Sequence, residues 1–369
     1  MKITVTQTHD FPLRKRYVIE LRNEAGEVVS HGNFHLVKTA FGDGFVDTML
    51  CSGVATPMQH RRHGYVRQIF DYALEWAVAQ GVAVSLLHPF SFSYYEKFGY
   101  GKVADHLIVR LPIRLLDTVP RCCDLLPAED TPEGWQLLYD LHNAFCRTRQ
   151  LMLQHSDPMF LKRNEEIWIF RENGKATGYI GFETEKALKV NHYEDGVIRV
   201  KHIVYTTPAA LKALLGFIRM YEGELDDVEF ANIAMCPEVT AYLRHDTHTH
   251  YQLLPDLMAR VLNTEKMLLA HRYPREPGSF KLCVKDTLPS AKGCFLVEYA
   301  DGKARVSRLA DNTPVDLTVG VSMFSRLIYG YDGLTAQQAA FVEDICLEGN
   351  AEDFFRAFGK KPSGLFEHF

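Results

Sequence analysis

The most constraining feature of this chain is a change of hydrophobic period at Gly64. Before it, apolar-rich runs at 17–21, 28–37 and 44–54 are separated by Asn23-Glu24-Ala25-Gly26-Glu27 and Gly42-Asp43-Gly44. Short strands divided by turn residues predict an antiparallel meander within residues 11–56. After Gly64, the apolar positions are Val66, Ile69, Phe70, Ala73, Leu74 and Ala77. That spacing is the stripe of an amphipathic helix, and Gly81 stands where a helix C-terminus favours glycine. Val82-Ala83-Val84-Ser85-Leu86-Leu87 then reads as a buried strand, followed by an aromatic-rich stretch at 91–101 and a strand at 107–111. A helix between strands must bury its stripe on their sheet, so this segment predicts an α/β layered domain.

The rest of the chain has room for more than one further domain. Its 369 residues exceed the usual span of a single core. Pro112, Pro120, Pro127 and Pro132 punctuate one boundary near 121, and Pro274, Pro277 and Gly278 mark another. Between them lie a predicted helix at 135–149, a hairpin turning at Asn173-Gly174, a helix at 208–221 opened by Thr207-Pro208, and a strand at 228–235. Beyond 278, alternating strands turn at Asp301-Gly302, and helices are predicted at 323–329, 336–345 and 353–358. The expected domains are 1–120, 121–272 and 273–369.

Composition excludes several classes. Lys and Arg number 41 against 46 Asp and Glu, a net charge of −5 that disfavours a nucleic-acid partner. No run approaches a membrane span, and MKITVTQTHDF is not of signal-peptide type, so we expect a cytoplasmic protein without a membrane partner. The eight cysteines include no Cys-x-x-Cys, and Cys122 and Cys123 are adjacent; we expect reduced, mostly buried thiols.

The chemistry concentrates between Cys51 and Tyr100. Val54-Ala55-Thr56-Pro57-Met58-Gln59-His60-Arg61-Arg62-His63-Gly64-Tyr65-Val66 runs from a strand end, through a basic loop, into a helix. A helix N-terminus offers unpaired N–H groups and partial positive charge, glycine permits close backbone approach, and Arg61 and Arg62 add charge. Together they form a candidate pyrophosphate cradle. Taken alone, Arg-x-x-Gly is a common pattern. Tyr94, Tyr95, Phe98 and Tyr100 taken alone read as an aromatic core cluster.

In context, strand, Arg61-x-x-Gly64-x-Val66, helix, buried strand and aromatic turn resemble the Gcn5-related N-acetyltransferases, with Val66 replacing a usual Gly or Ala. Val54-Ala55-Thr56, Arg61-Arg62-x-Gly64 and Tyr95-Glu96-Lys97-Phe98-Gly99-Tyr100 resemble the Eis-type (enhanced intracellular survival) members more closely. Pro208 to Arg219, Pro255-Asp256-Leu257-Met258-Ala259-Arg260-Val261 and Phe280 to Asp286 fit later parts of that pattern, so the resemblance spans roughly residues 15–369. It implies an α/β (α+β) fold: two acetyltransferase-like mixed-sheet domains, the second degenerate, and a C-terminal sterol-carrier-like α+β domain. The second domain enters its helix through Tyr205-Thr206-Thr207-Pro208 and has no Arg-x-x-Gly cradle.

The resemblance further implies acetyl-CoA as co-substrate and direct attack by a small-molecule primary amine, of aminoglycosides or other polyamines, without a metal. It places the pantetheine arm on the backbone of Val54, Ala55 and Thr56, and the phosphates on Arg61, Arg62, His63, Gly64, Tyr65 and Val66. It makes Tyr95 the general acid and the carboxylate of the terminal Phe369 the general base, with His368 and Glu367 as rivals. A homo-oligomer, a hexamer, is implied as well. Family members carry a strand and two helices upstream, and residues 1–16 are too few for both helices. That leaves an open acceptor pocket, one rebuilt by the third domain, or a start further upstream.

Other features read more plainly. His245, His248 and His250 match no zinc spacing and are expected in a solvated loop. Cys51 and Ser52 lack a neighbouring triad base, His88 reads as a core histidine ahead of one facing the acceptor pocket, and Lys201-His202 as part of a strand. The alternative function is an acyl-, lipid- or CoA-binding protein built on a degenerate acetyltransferase.

Overall fold

The computed structural model describes residues 1–155, 165–188 and 194–366. The chain divides into two compact units. Unit one comprises Met1–Ala104 and Asp256–Ser363; unit two comprises Asp105–Pro255 and Gly364–Phe366.

Unit one opens with an antiparallel meander of β1 (Lys2–Phe11), β2 (Arg14–Arg22), β3 (Val28–Phe41) and β4 (Gly44–Ala55). The sequence reading missed β1, because its residues lie almost wholly exposed and carry no buried stripe. α1 (Tyr65–Ala79) buries Ile69, Phe70, Ala73, Leu74 and Ala77, the stripe read from the sequence. Gly81 follows it at φ 84°, a left-handed position suited to glycine. β5 (Val84–Leu87) is fully buried and pairs parallel with β4, and α2 (Phe92–Glu96) follows.

Unit two repeats the same plan. The order across its sheet is β6 (Gly101–Pro112), β11 (Asp227–Phe230), β10 (Glu194–Tyr205), β9 (Lys175–Leu188), β8 (Glu166–Glu172) and β7 (Leu125–Pro127). The first four residues of β6 belong to unit one. β10 and β11 are parallel and joined through α4 (Pro208–Ile218), as β4 and β5 are through α1. α3 (Pro132–Cys146) begins earlier than expected, because the Thr131 side chain accepts from the N–H of Gly134, 3.1 Å away. The β8–β9 turn is at Asn173-Gly174, both left-handed at φ 49° and 81°, as the sequence signalled. α5 (Pro237–Thr240) ends this part of the chain.

The chain then returns to unit one. β12 (His250–Val261) places Met258–Val261 antiparallel against β5, so a distant segment completes the first sheet. α6 (Thr264–Ala270) leads to a separate five-stranded sheet, ordered β15 (Lys303–Leu309), β14 (Gly293–Ala300), β13 (Gly278–Lys285), β16 (Leu317–Gly320) and β17 (Ile345–Leu347). α7 (Val321–Ile328), α8 (Ala336–Ala339) and α9 (Glu352–Ala357) pack with it. The expected helix at 336–345 is one turn only, and Ile345–Leu347 instead pairs with β16. Cys283 and Cys294 correct the expectation of eight free thiols. Register puts them directly opposite on β13 and β14, where they form a disulfide.

Candidate active site

The site is built where β4 outruns its parallel partner. Pairing of β4 with β5 stops at Cys51 and Leu87, while β4 continues to Ala55. Gly53 adopts φ 55°, and the β3 register slips between His31 and Asn33 at that level. Such a bulge bends a strand away from its neighbour and frees backbone groups. The Ser30 hydroxyl ties down the bent end, 3.2 Å from the carbonyl of Ala55 and 2.9 Å from the Thr56 hydroxyl.

From there the chain turns sharply into α1. Arg62 and Gly64 are both left-handed, at φ 66° and 75°. No side chain caps α1, so its first-turn N–H groups face outward unclaimed by a cap. A Cβ on Gly64 would meet nothing within 4 Å, so glycine serves the backbone conformation and leaves open space. Arg61 braces the loop, its Nε donating to the carbonyl of Thr56 at 3.3 Å.

A cleft of about 680 Å³ joins these parts, lined by Val54, Ala55, Thr56, Arg61, Arg62, Gly64, Tyr65 and Val66 together with Tyr95. The structure thus brings together every expected cofactor residue but one with the expected acid. The exception is His63, whose ring stacks on Tyr65 and whose Nδ1 lies 3.2 Å from the carbonyl of His60. The sequence reading did not single out Arg67, Lys97 and Phe90, which also line the cleft. Arg67 has a legible signal: it lies in the first turn of a helix whose N-terminus is basic. Phe90 is a large ring left 76% exposed on a loop, which no period marks.

Tyr95 is buried among Phe70, Phe90, Tyr94, Phe98 and Tyr100. Burial, then the neighbouring Tyr94 and Cys51, push its hydroxyl up to about 12. Beneath it, Cys51, Ser85 and Tyr100 form a buried network: Ser85 Oγ is 2.7 Å from the Tyr100 hydroxyl and 3.2 Å from Cys51 Sγ. Burial raises the Cys51 thiol to about 11, which makes it a poor nucleophile. The turn after α2 is held from the far part of unit one. Arg260 donates to the carbonyl of Phe98 and pairs through Nη2 with both oxygens of Asp286 at 3.0 Å. Gly99 at φ 80° leaves the gap through which that guanidinium passes; a Cβ there would collide with it.

His88, just past β5, holds Asp256 of β12 through Nδ1 at 2.8 Å. His202 is buried on β10 and lies 3.3 Å from Glu165. Cys51 is buried; Ser52 lies 3.4 Å from His35. His248 is exposed beside Asp246, and among the described residues no three metal-ligating side chains gather. Phe369, Glu367 and His368 lie outside the described residues. The tail just before them belongs to unit two. Gly364 N–H donates to Gln150, Asn232 donates to the carbonyl of Leu365, and Phe366 stacks on Phe145 and meets His202 edge-on.

Unit two does not reproduce the cradle. Its corresponding helix, α4, is capped: the Thr207 hydroxyl accepts from the N–H of Ala210, and Pro208 has no N–H to offer. No described helix is long and apolar enough to cross a membrane.

Family models match three consecutive segments of the chain. An acetyltransferase (GNAT) domain matches residues 7–103, a second acetyltransferase (GNAT) domain matches 146–261, and a sterol carrier protein domain matches 264–363. No curated protein matches the sequence. A GCN5-related N-acetyltransferase from Anabaena variabilis superposes with TM-score 0.81 at 17% identity, over 96% of this chain and 89% of that one. A conserved protein from Enterococcus faecalis described as a probable N-acyltransferase gives 0.77 at 19%, over 96% and 89%. Eis1 from Mycobacterium abscessus gives 0.78 at 14%, over 95% and 90%. These three share its fold. With two acetyltransferase domains ahead of a sterol-carrier domain, the chain belongs to the GNAT family of acetyl-CoA-dependent N-acyltransferases.

Proposed function

We propose that unit one transfers acetyl from acetyl-CoA to a primary amine by direct attack, with Tyr95 as general acid and the Phe369 carboxylate as general base. The observation that carries this reading is the single cleft that unites the uncapped α1 N-terminus, the unpaired end of β4 and Tyr95. The donor set suits the co-substrate. N–H groups near Gly64, with Arg61, Arg62 and Arg67, offer charge-assisted bonds to phosphates. The backbone of Val54 to Thr56, beyond the end of the β4–β5 pairing, offers strand-like hydrogen bonds to an amide-bearing arm.

Acetyl-CoA when bound supplies an activated thioester; the protein's part is to place it and move protons. Tyr95 keeps its proton across the neutral range, so it reaches the reaction as a donor for the departing sulfur. A terminal carboxylate, ordinarily near 3.5, is ionised at neutral pH and can take the proton of an incoming ammonium. The carboxylate's part in the proposal rests on the Eis-type resemblance. Among the described residues no Asp or Glu lines the cleft, so the polyamine and aminoglycoside part of the proposal rests on the Eis-type resemblance. Assembly as a homo-oligomer belongs to the same proposal and is read by sedimentation velocity.

The test is acetyl-CoA-dependent thiol release over aminoglycosides, polyamines and lysine peptides, for the native chain and one extended by two glycines after Phe369. Activity in the native chain that collapses on extension supports the carboxylate. Equal activity in both transfers the base to another group and leaves acetyl transfer standing.

A further inference from the structure

Unit two carries a cleft of its own, of about 660 Å³, in the size range of small-molecule sites. Its walls are mostly apolar: Ala144, Phe145, Pro208, Leu211 and Tyr242. Its floor is a charged pair of unequal burial, with Arg149 6% exposed and Glu238 47% exposed. The Arg149 guanidinium stacks on Phe145 at 4.4 Å. Its Nη2 reaches Glu238 at 3.0 and 3.1 Å and the Tyr205 hydroxyl at 3.3 Å. Tyr205 in turn donates to Glu238 at 2.8 Å. Among the described residues Nε has no hydrogen-bond partner.

We propose that this cleft binds an apolar carboxylate, whose head replaces Glu238 on Arg149 and Tyr205 and whose tail lies along Phe145, Pro208 and Leu211. A guanidinium keeps its charge at any pH the protein survives, so a buried one requires an anion. The anion provided here is half in water, on a four-residue helix, and gives up little by returning to solvent. A ligand carboxylate offers the same donors the same charge, so Arg149 stays paired while Glu238 turns to solvent. It also buries a tail that Glu238 lacks. A neutral or cationic head gains nothing from Arg149. Phosphates are disfavoured, because the adjoining α4 N-terminus is already capped by Thr207. The ligand therefore differs in class from the co-substrate of unit one.

Octanoate is the probe, titrated calorimetrically into the full chain at pH 7.5 beside octanamide. We expect saturable octanoate binding, at least about tenfold weaker binding of octanamide, and at least about tenfold tighter octanoate binding in Glu238→Ala. Arg149→Met should abolish it. Should Arg149→Met fail to fold, the Glu238→Ala and octanamide comparisons decide alone. Acetyl-transfer rates of Glu238→Ala should equal wild type, which separates this site from the function proposed for unit one. Absence of saturable octanoate binding in Glu238→Ala overturns the proposal. So does equal affinity for octanoate and octanamide, or indifference of octanoate to Glu238→Ala.

Discussion

Tyr95 concentrates the chemistry that the account assigns to single residues. Removing its hydroxyl leaves the ring packing intact, so Tyr95→Phe should lower kcat by about 10²–10⁴, the usual worth of a positioned acid, with acetyl-CoA affinity unchanged. Because burial holds its proton up to about 12, the wild-type pH–rate profile should show no falling alkaline limb from this group below about pH 10. Gly64 is the second sensitive residue. Its left-handed φ of 75° in open space means that Gly64→Ala costs backbone strain, about 1–2 kcal/mol, and no clash. The expected result is a raised KM for acetyl-CoA and a small drop in melting temperature. The turn at Gly64 was legible as a break in period, whereas Tyr95 taken alone read as core and only the family resemblance singled it out; the structure places both on one cleft. Arg260 was quoted only as part of a resemblance; its contact with Phe98 joins residues 162 apart, and no local pattern encodes that.

At the scale of elements, the strands and helices with a strict period were readable and the conditional ones were not. α1 declared itself through its stripe, and the turns at Gly174 and Gly302 through residues that tolerate positive φ. β1 was missed because it is an exposed hairpin arm, and β17 because a three-residue strand is fixed by its partner. The junction of α2 with β12 gives an element-level prediction. Arg260 and Asp286 are a buried pair, at 6% and 5% exposure. Arg260→Met leaves Asp286 uncompensated and should cost about 3–5 kcal/mol in denaturant unfolding, whereas replacing both partners by apolar residues should cost much less. The sterol-carrier segment is packed with rings, Phe280, Phe354 and Phe358 lying 4.6–5.9 Å apart and all buried. That packing favours a structural core over the lipid-binding alternative for those positions.

For the whole molecule, stability should carry the mark of Lys361. Burial, reinforced by Arg272 and opposed by Asp43, lowers its ammonium to about 8, and its Nζ lies 3.2 Å from His271. The folded state therefore releases this proton at lower pH than the unfolded state does. Stability contributed by this group rises from about pH 8 to about pH 10.4 and is flat outside that window. Lys361→Met should be more stable than wild type at pH 7, with the difference narrowing by pH 9.5 in paired thermal melts. Domain duplication was reached through the family resemblance, not through any repeat legible in the sequence itself. The completion of the first sheet by β12 was not, since pairing of Met258 with Leu87 is a long-range choice made by the fold.

Of the two acetyltransferase units, the first is proposed to hold acetyl-CoA and the second is not. Calorimetric titration of acetyl-CoA into the full chain and into Arg61→Gln/Arg62→Gln tests it most directly. One site per chain is expected in the native protein, with affinity lost or sharply weakened in the double variant. Two equivalent sites per chain, or a single site indifferent to both arginines, would contradict it.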